Sequence, residues 1–124
     1  MKQLLLVGIG GFSGSILRYL MGLYSVKLLD SSFPYGTLSV NLIGSLLIGL
    51  LAGSLIKTES QSLQLLMITG FCGGFTTFSA FSLEGLKMIK EAQYFHYAGY
   101  IGISILGGLL LCLIGFWLAQ KAFA

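Results

Sequence analysis

Residues 70–82 read Gly-Phe-Cys-Gly-Gly-Phe-Thr-Thr-Phe-Ser-Ala-Phe-Ser, and they lie inside an apolar segment that runs from about residue 63 to residue 89. The glycines weaken a helix at this point. The hydroxyl side chains that follow can bond the main-chain groups that a broken helix leaves free. Non-helical backbone at membrane depth is tolerated only against other protein or a water-filled cavity. The stretch therefore predicts either a packed crossing point or a site that handles ions.

The same stretch carries aromatic residues at a regular spacing. Phe75, Phe78 and Phe81 recur every three residues, which predicts a loose ladder of rings along one side of the segment. Three such rings alone are typical of aromatic core packing. Their combination with the glycine break and the hydroxyl cluster favours a functional site.

The composition is that of a membrane protein. Of the 124 residues, 56% are hydrophobic and only 9% are charged, whereas a soluble domain carries about 25% charged residues. The mean hydropathy is +0.92. The formal net charge of +3 is spread over all the connections, which argues against nucleic-acid binding.

Four apolar segments are each about long enough to cross the roughly 30 Å hydrocarbon layer of a bilayer. They cover about residues 3–26, 35–56, 63–89 and 97–120, and short polar connections join them. The fold prediction is an all-α membrane protein with four transmembrane helices, the third broken at its centre. We expect residues 1–124 to form a single four-helix transmembrane domain.

The first span carries Gly10, Gly14, Arg18 and Gly22 at a strict spacing of four. Small residues at this spacing let a neighbouring helix approach closely. An arginine in a span is costly and should face protein or water rather than lipid. Arg18 therefore either extends toward the headgroups or attracts anions.

The second span carries Asn41, Ser45, Gly49 and Gly53 at the same spacing of four. An amide in lipid is unpaired unless it bonds across a helix interface or lines a wet path. For an isolated asparagine the interhelical hydrogen bond is the commoner arrangement. A position along a wet path stays open as the second interpretation of Asn41.

The third and fourth spans add further polar candidates. Glu84 is either functional, as membrane carboxylates commonly are, or it has already reached the headgroups. Tyr100 and Ser104 begin a spacing of four that Gly108 and Cys112 continue, which predicts a polar stripe on one helix face. We expect both cysteines of the chain to be packing residues and not a disulfide or a metal site.

Residues 70–82 resemble the signature of the small fluoride channels called Fluc or CrcB. Two other stretches agree with this resemblance: residues 10–14, Gly-Gly-Phe-Ser-Gly, which run on to Arg18-Tyr19, and residues 34–41, Pro-Tyr-Gly-Thr-Leu-Ser-Val-Asn. The resemblance covers essentially the whole chain. Two departures from the family pattern stand out: Ala80 replaces a usual threonine, and Gly108 stands where a serine is frequent.

The resemblance implies a fluoride-selective channel that exports fluoride passively across the inner, plasma membrane of a microbial cell and relieves fluoride toxicity. It implies that Asn41 is a pore residue and that Tyr100 and Ser104 line a polar track. It also implies a structural sodium ion at the centre of a homodimer, held by the main-chain carbonyls of Gly73 and Thr76 from both subunits.

The homodimer has a physical argument as well. One four-helix unit of this size does not easily enclose a pore, so a path would form between subunits, and the small-residue stripes offer close contact faces. Three lysines lie on one side of the membrane, and three lysines with Arg18 lie on the other. Because the Lys/Arg bias that fixes orientation is nearly absent, we expect an antiparallel pair.

The predicted anion-binding residues donate weak hydrogen bonds or present polarised ring edges. They are Asn41, Phe78, Ser79, Phe81, Tyr100 and Ser104, with Arg18 and Glu84 near the ends. The alternatives are a small multidrug/proton antiporter, which needs a deep carboxylate that the first span lacks, and a non-conducting assembly subunit. An enzyme is not expected, because the single histidine, His96, has no triad or metal-ligand set around it.

Overall fold

The computed structural model describes residues 1–55 and 57–123, and these residues form helices and short connections without any strand. Four helical stretches are long and apolar enough to cross a membrane: Lys2–Leu29, Tyr35–Leu55, Gln61–Lys90 and Tyr94–Ala122. The all-α, four-span prediction is thereby confirmed. Ile56, the predicted end of the second span, lies outside the described residues.

We name the helices α1 to α5 in chain order. They are α1 (Lys2–Leu29), α2 (Tyr35–Leu55), α3 (residues 61–75), α4 (Phe78–Lys90) and α5 (Tyr94–Ala122). Helix α2 follows Pro34, whose fixed φ suits the start of a helix. Two stretches have π-helical winding: Gln64–Cys72 in α3 and Ile103–Gly107 in α5. π-Helical winding is rare in proteins, but where it occurs it often lies at a functional site.

The third span is broken, as predicted, but at threonines and not at glycines. Gly73 keeps helical angles, with φ −63° and ψ −36°. Thr76 (φ −82°, ψ 159°) and Thr77 (φ −151°, ψ 120°) are extended. Both threonines are β-branched and favour extended backbone. Thr77 then caps α4, because its hydroxyl accepts a hydrogen bond from the Ala80 N–H at 3.2 Å.

The glycines serve close helix packing instead. A Cβ atom on Gly10 would overlap the carbonyl oxygen of Leu66, and one on Gly14 would overlap that of Phe71. The small-residue stripe of α1 therefore packs against α3 of the same chain. The expectation that it forms a contact face between subunits is wrong for these two positions, because α3 already covers them.

Helix α5 packs on α2 in the same way. A Cβ atom on Gly49 would overlap the carbonyl oxygen of Cys112, and one on Gly53 would lie 2.7 Å from that of Phe116. The stripe of α2 is thus also used within the chain. Both thiols are free, and Cys72 is buried, which agrees with the prediction that the cysteines are packing residues.

The predicted aromatic ladder is divided by the break. Phe75 is 1% exposed and stacks on Phe71, with ring centroids 5.8 Å apart. Phe78 is 79% exposed and pairs with Phe81 at 5.7 Å. The prediction of one continuous ladder was wrong, because two extended residues between Phe75 and Phe78 change the direction in which the following side chains point.

Candidate pore site

A groove of about 490 Å³ lies where α2, the broken third span and α5 meet, and it is open along one side. Its walls are largely apolar, with polar groups clustered at the break. Six predicted site residues line it: Asn41, Gly73, Thr76, Phe78, Phe81 and Ser104. Helix packing thus collects in one place residues that are up to 63 positions apart in the sequence.

Asn41 holds the break from the side of α2. Its Oδ1 accepts the main-chain N–H of Thr77 at 2.8 Å, and its Nδ2 donates to the Thr77 carbonyl at 3.0 Å. The side-chain amide thus pairs with both main-chain groups of one extended residue. Asn41 makes the interhelical bond expected of an isolated asparagine, and it also lines the groove. The two interpretations are therefore compatible.

Arg18 holds the other side of the break. Its Nε donates a hydrogen bond of 3.0 Å to the carbonyl oxygen of Gly74, and the side chain is half-buried. The arginine lies midway along α1 and contacts the centre of the third span. The prediction that Arg18 lies near the end of an anion path stays a prediction, and within the chain the arginine contacts the break itself. Its cation balances a carbonyl oxygen that the helix break has exposed.

Glu84 belongs to a hydrogen-bonded cluster one helical turn beyond Phe81. Thr37 donates its hydroxyl to Oε1 of Glu84 at 2.7 Å, and Tyr100 donates its hydroxyl to Oε2 at 2.7 Å. The carboxylate is half-buried. Glu84 therefore lies inside the helix bundle and does not simply extend to the headgroups, which was the alternative interpretation of its position.

Tyr100 is fully buried between aromatic rings. Its ring centroid lies 5.0 Å from that of Phe81 and 5.6 Å from that of Phe33, in an edge-on arrangement with Phe33. Its exposed fraction is 0%. Tyr100 is next to the groove wall through its contact with Phe81, and its hydroxyl donates to Glu84.

The two predicted serines differ in their surroundings. Ser79 is exposed, and its hydroxyl lies 3.2 Å from that of Thr77. The Ser104 hydroxyl oxygen is buried and makes no hydrogen bond within residues 1–55 and 57–123. A buried hydroxyl without a partner is costly. Ser104 lines the groove, and its hydroxyl there is a donor that the described residues leave unused.

The carbonyl oxygens of Gly73 and Thr76 lose their helical partners at the break. The Thr76 N–H donates to Cys72 and the Thr77 N–H donates to Asn41, so neither bonds Gly73. The Ala80 N–H, which would bond Thr76 in a continued helix, donates to the Thr77 hydroxyl. The threonine hydroxyls are also engaged elsewhere, since that of Thr76 donates to the Cys72 carbonyl at 2.9 Å.

Sequence reasoning missed Thr37 and the role of Thr77. Thr37 precedes Asn41 by one turn on α2, so the spacing of four that singled out Asn41 and Ser45 extends back to it. That signal could have found it. Thr77 acts mainly through its main-chain N–H and carbonyl groups, and sequence patterns do not show which partners such groups have.

Comparison with known proteins identifies the family. The family model described as "CrcB-like protein, Camphor Resistance (CrcB)" matches residues 5–116. A protein of Hyphomonas neptunium is 46% identical over 127 aligned residues and covers 100% of both chains. A protein of Leptospira interrogans is 42% identical over 122 residues, covering 97% of this chain and 96% of its own. Each is named "Fluoride-specific ion channel FluC".

Both relatives are named as channels and not as enzymes, in agreement with the expectation that this chain is no enzyme. Four membrane-spanning helices and this relationship make it a multi-pass integral protein of the plasma membrane. With 112 consecutive residues matched to the family model, the chain belongs to the CrcB family.

Proposed function

We propose that the protein is a fluoride-selective channel that exports fluoride passively across the plasma membrane and so relieves fluoride toxicity. One observation carries the proposal: a helix break at membrane depth lines a groove and is held open by Asn41 in a chain 46% identical to a fluoride-specific channel. Broken backbone at this depth is tolerated where it lines a cavity or packs on protein.

The conducting unit is a homodimer, because the groove of a single chain is not enclosed by the chain itself. A second copy would close it. The antiparallel arrangement rests on charge. Since Arg18 binds the centre of the third span, it no longer counts toward either end, and the lysines divide three against three. Because no Lys/Arg bias fixes the orientation, the chain inserts into the membrane in both orientations.

The groove offers an anion weak and distributed donors. The buried hydroxyl of Ser104 lacks a partner within the described residues. Asn41 lines the groove together with Phe78 and Phe81, whose ring edges carry partial positive charge, and its amide has a second N–H besides the one that bonds Thr77. Fluoride is small and strongly hydrated, so a narrow path selects it by replacing its water with such donors, and weak donors still release it.

Sodium fits the break better than a divalent ion does. The carbonyl oxygens of Gly73 and Thr76 lack helical partners. Residues 1–55 and 57–123 contain no cluster of His, Cys, Asp or Glu that could hold a metal. A Cβ atom on Gly73 would meet nothing within 4 Å in the chain, which leaves room for the partner. In the homodimer these two carbonyls from each subunit would hold one sodium ion, which supplies a fixed positive charge near the anion path.

Fluoride efflux from proteoliposomes, followed with a fluoride electrode, tests the function. We expect rapid efflux of fluoride, no efflux of chloride and no transport of a quaternary ammonium cation. Liposomes without protein give the background. Transport of the quaternary ammonium cation driven by a proton gradient, with no fluoride efflux, would identify a multidrug/proton antiporter instead.

The sodium site is tested by cation replacement and by two substitutions. Replacing all sodium by a large organic cation should abolish fluoride efflux, and restoring sodium should recover it. Thr76→Ser keeps the main-chain carbonyl and should keep the dependence on sodium, whereas Gly73→Pro should lose efflux. Efflux that is indifferent to sodium, with no ion density between the two breaks of a dimer structure, would contradict the site.

A further inference from the structure

A second groove, of about 530 Å³, lies between α2, α3 and the last turns of α5. It is at the end of the bundle where α2 ends and α3 begins. The residues that line it include Leu47, Leu51, Ser54, Phe71, Leu118 and Phe123. Of the described residues around it, only Ser54 has a polar side chain, and its hydroxyl donates to the Leu51 carbonyl at 3.2 Å. The second groove is therefore apolar.

The second groove shares no lining residue with the candidate pore groove. From α2, the pore groove is lined by Asn41, Gly44, Ser45 and Ile48. The second groove is lined by Leu47, Leu50, Leu51 and Ser54. Because an α-helix has 3.6 residues per turn, these two sets lie on faces of α2 that are roughly a third of a turn apart. A second copy that closes the pore groove would not by that contact cover the second groove.

The second groove extends from headgroup depth toward the centre of the bilayer. Trp117, which precedes the wall residue Leu118, is 54% exposed, and tryptophans near the end of a span lie at the membrane–water interface. From Ser54 to Leu47 the groove follows α2 inward for about 10 Å, at about 1.5 Å per residue. Since an apolar groove gives water no hydrogen-bond partners, the molecule that suits it in a bilayer is an acyl chain.

The outer end of the second groove is basic. The Lys57 ammonium group donates a hydrogen bond of 2.8 Å to the main-chain carbonyl of the wall residue Phe123. The Lys121 ammonium group lies 4.1 Å from the centre of the Trp117 ring. Of the four acidic residues in the sequence, all of which the structure describes, only Glu59 lies at this end. Each ammonium group has three donors, so both lysines have donors left for a phosphate.

We propose that the second groove binds an anionic phospholipid, with an acyl chain in the groove and the phosphate on Lys57 and Lys121. The inference does not depend on fluoride transport. An acyl chain alone would fit the groove whatever its headgroup. The two lysines add the preference for a negative headgroup, because basic residues at the membrane surface attract anionic lipids.

Tryptophan quenching by brominated lipids tests the site, because the chain has a single tryptophan. Trp117→Phe combined with Phe123→Trp moves the indole onto the wall of the second groove. This variant is reconstituted in phosphatidylcholine vesicles that contain a rising fraction of phosphatidylglycerol or phosphatidylcholine with brominated acyl chains. The quenching curves give the relative association constant of the two lipids beside the indole.

Two pairs of charge substitutions are then added to this variant. Lys57→Gln with Lys121→Gln removes the proposed phosphate ligands. Lys87→Gln with Lys90→Gln is the matched control, because it removes the same charge from the last turn of α4, at the other end of the bundle. We expect phosphatidylglycerol to bind about tenfold more tightly than phosphatidylcholine, and this preference to fall below about twofold without Lys57 and Lys121. The control pair should keep the preference.

Three results would overturn the site. Equal quenching by the two lipids would show ordinary contact with the bilayer and no selection of an anionic headgroup. Quenching by neither lipid would show that a second copy covers the groove. If Phe123→Trp does not assemble, native mass spectrometry of the unsubstituted chain replaces the quenching assay, with phosphatidylglycerol expected to stay bound at collision energies that release phosphatidylcholine. Release of both lipids at the same energy would be the third contrary result.

Discussion

Asn41→Leu removes the amide that holds the helix break while keeping a side chain of similar size. In the structure, Oδ1 accepts the Thr77 N–H at 2.8 Å and Nδ2 donates to the Thr77 carbonyl at 3.0 Å. The substitution leaves both main-chain groups of Thr77 without these partners. We expect a loss of stability and, because Thr77 caps α4 beside Phe78 and Ser79, a loss of fluoride efflux as well.

The size of the effect follows from two bounds. Leaving a buried donor or acceptor unpaired costs about 1–3 kcal/mol, so the two groups of Thr77 together give an upper range of about 2–6 kcal/mol. Interhelical hydrogen bonds measured in a membrane protein average only about 0.6 kcal/mol each. Since the groove admits water to Thr77 and lessens the penalty, we expect the free energy of unfolding to fall by about 1–3 kcal/mol.

The assay is equilibrium unfolding in mixed detergent micelles, paired with fluoride efflux from proteoliposomes. Ser45→Ala is the matched control, because it lies one turn further along α2 and loses a single hydrogen bond, of 2.7 Å to the Asn41 carbonyl. That bond lies within one helix, so its loss should change the unfolding free energy by less than about 0.5 kcal/mol. Unchanged stability and unchanged efflux in Asn41→Leu would refute the role of the amide in holding the break.

Three further predictions concern the rings, the topology and the helix packing. Phe78→Ile or Phe81→Ile should abolish fluoride efflux in liposomes while the protein still assembles, because an aliphatic side chain lacks the polarised ring edge; normal efflux in both variants would show that the rings only pack. A reporter on the C-terminus should appear on both sides of the membrane, and two added lysines should drive it to one side; a reporter found on one side only in the unmodified chain would contradict the antiparallel pair. Gly14→Ala should destabilise the protein by about 1–3 kcal/mol, because its methyl group would overlap the Phe71 carbonyl, whereas Gly8→Ala, with nothing within 4 Å, should be tolerated in the same unfolding assay.

The four spans could be predicted from the sequence because bilayer thickness and hydropathy determine them almost alone. The existence of a break in the third span could also be predicted from the sequence, since glycines and hydroxyl residues cluster there. The residues at which the helix breaks could not be predicted. Helical φ and ψ at Gly73 and extended angles at Thr76 and Thr77 depend on Asn41, which offers the Thr77 main chain a better partner than the helix does. The β-branching of the two threonines is visible in the sequence, but the tertiary hydrogen bonds from Asn41 that fix the break there leave no local pattern.

The stripes of small residues show a second limit of the sequence. Their spacing of four predicts a close contact but does not name the helix on the other side. Gly10 and Gly14 contact α3, and Gly49 and Gly53 contact α5, so these faces are used within the chain. The proposed second copy would therefore use other surfaces, among them the open groove and the ring of Phe78, which is 79% exposed.

In the proposed channel, the packing would also keep the weak donors of the path in place. Gly74 packs on the main chain of Gly11, which a Cβ atom on Gly74 would overlap. The carbonyl of Gly74 also accepts a hydrogen bond from the Arg18 side chain. Asn41 fixes Thr77 from the other side. Donors that replace the water around an ion must already be in position when the ion is absent. If the ion had to order them, the free energy of that ordering would reduce the free energy of binding. The contacts that hold the break thus supply the rigidity, and the hydroxyls, amide and ring edges around it remain weak enough to release the ion.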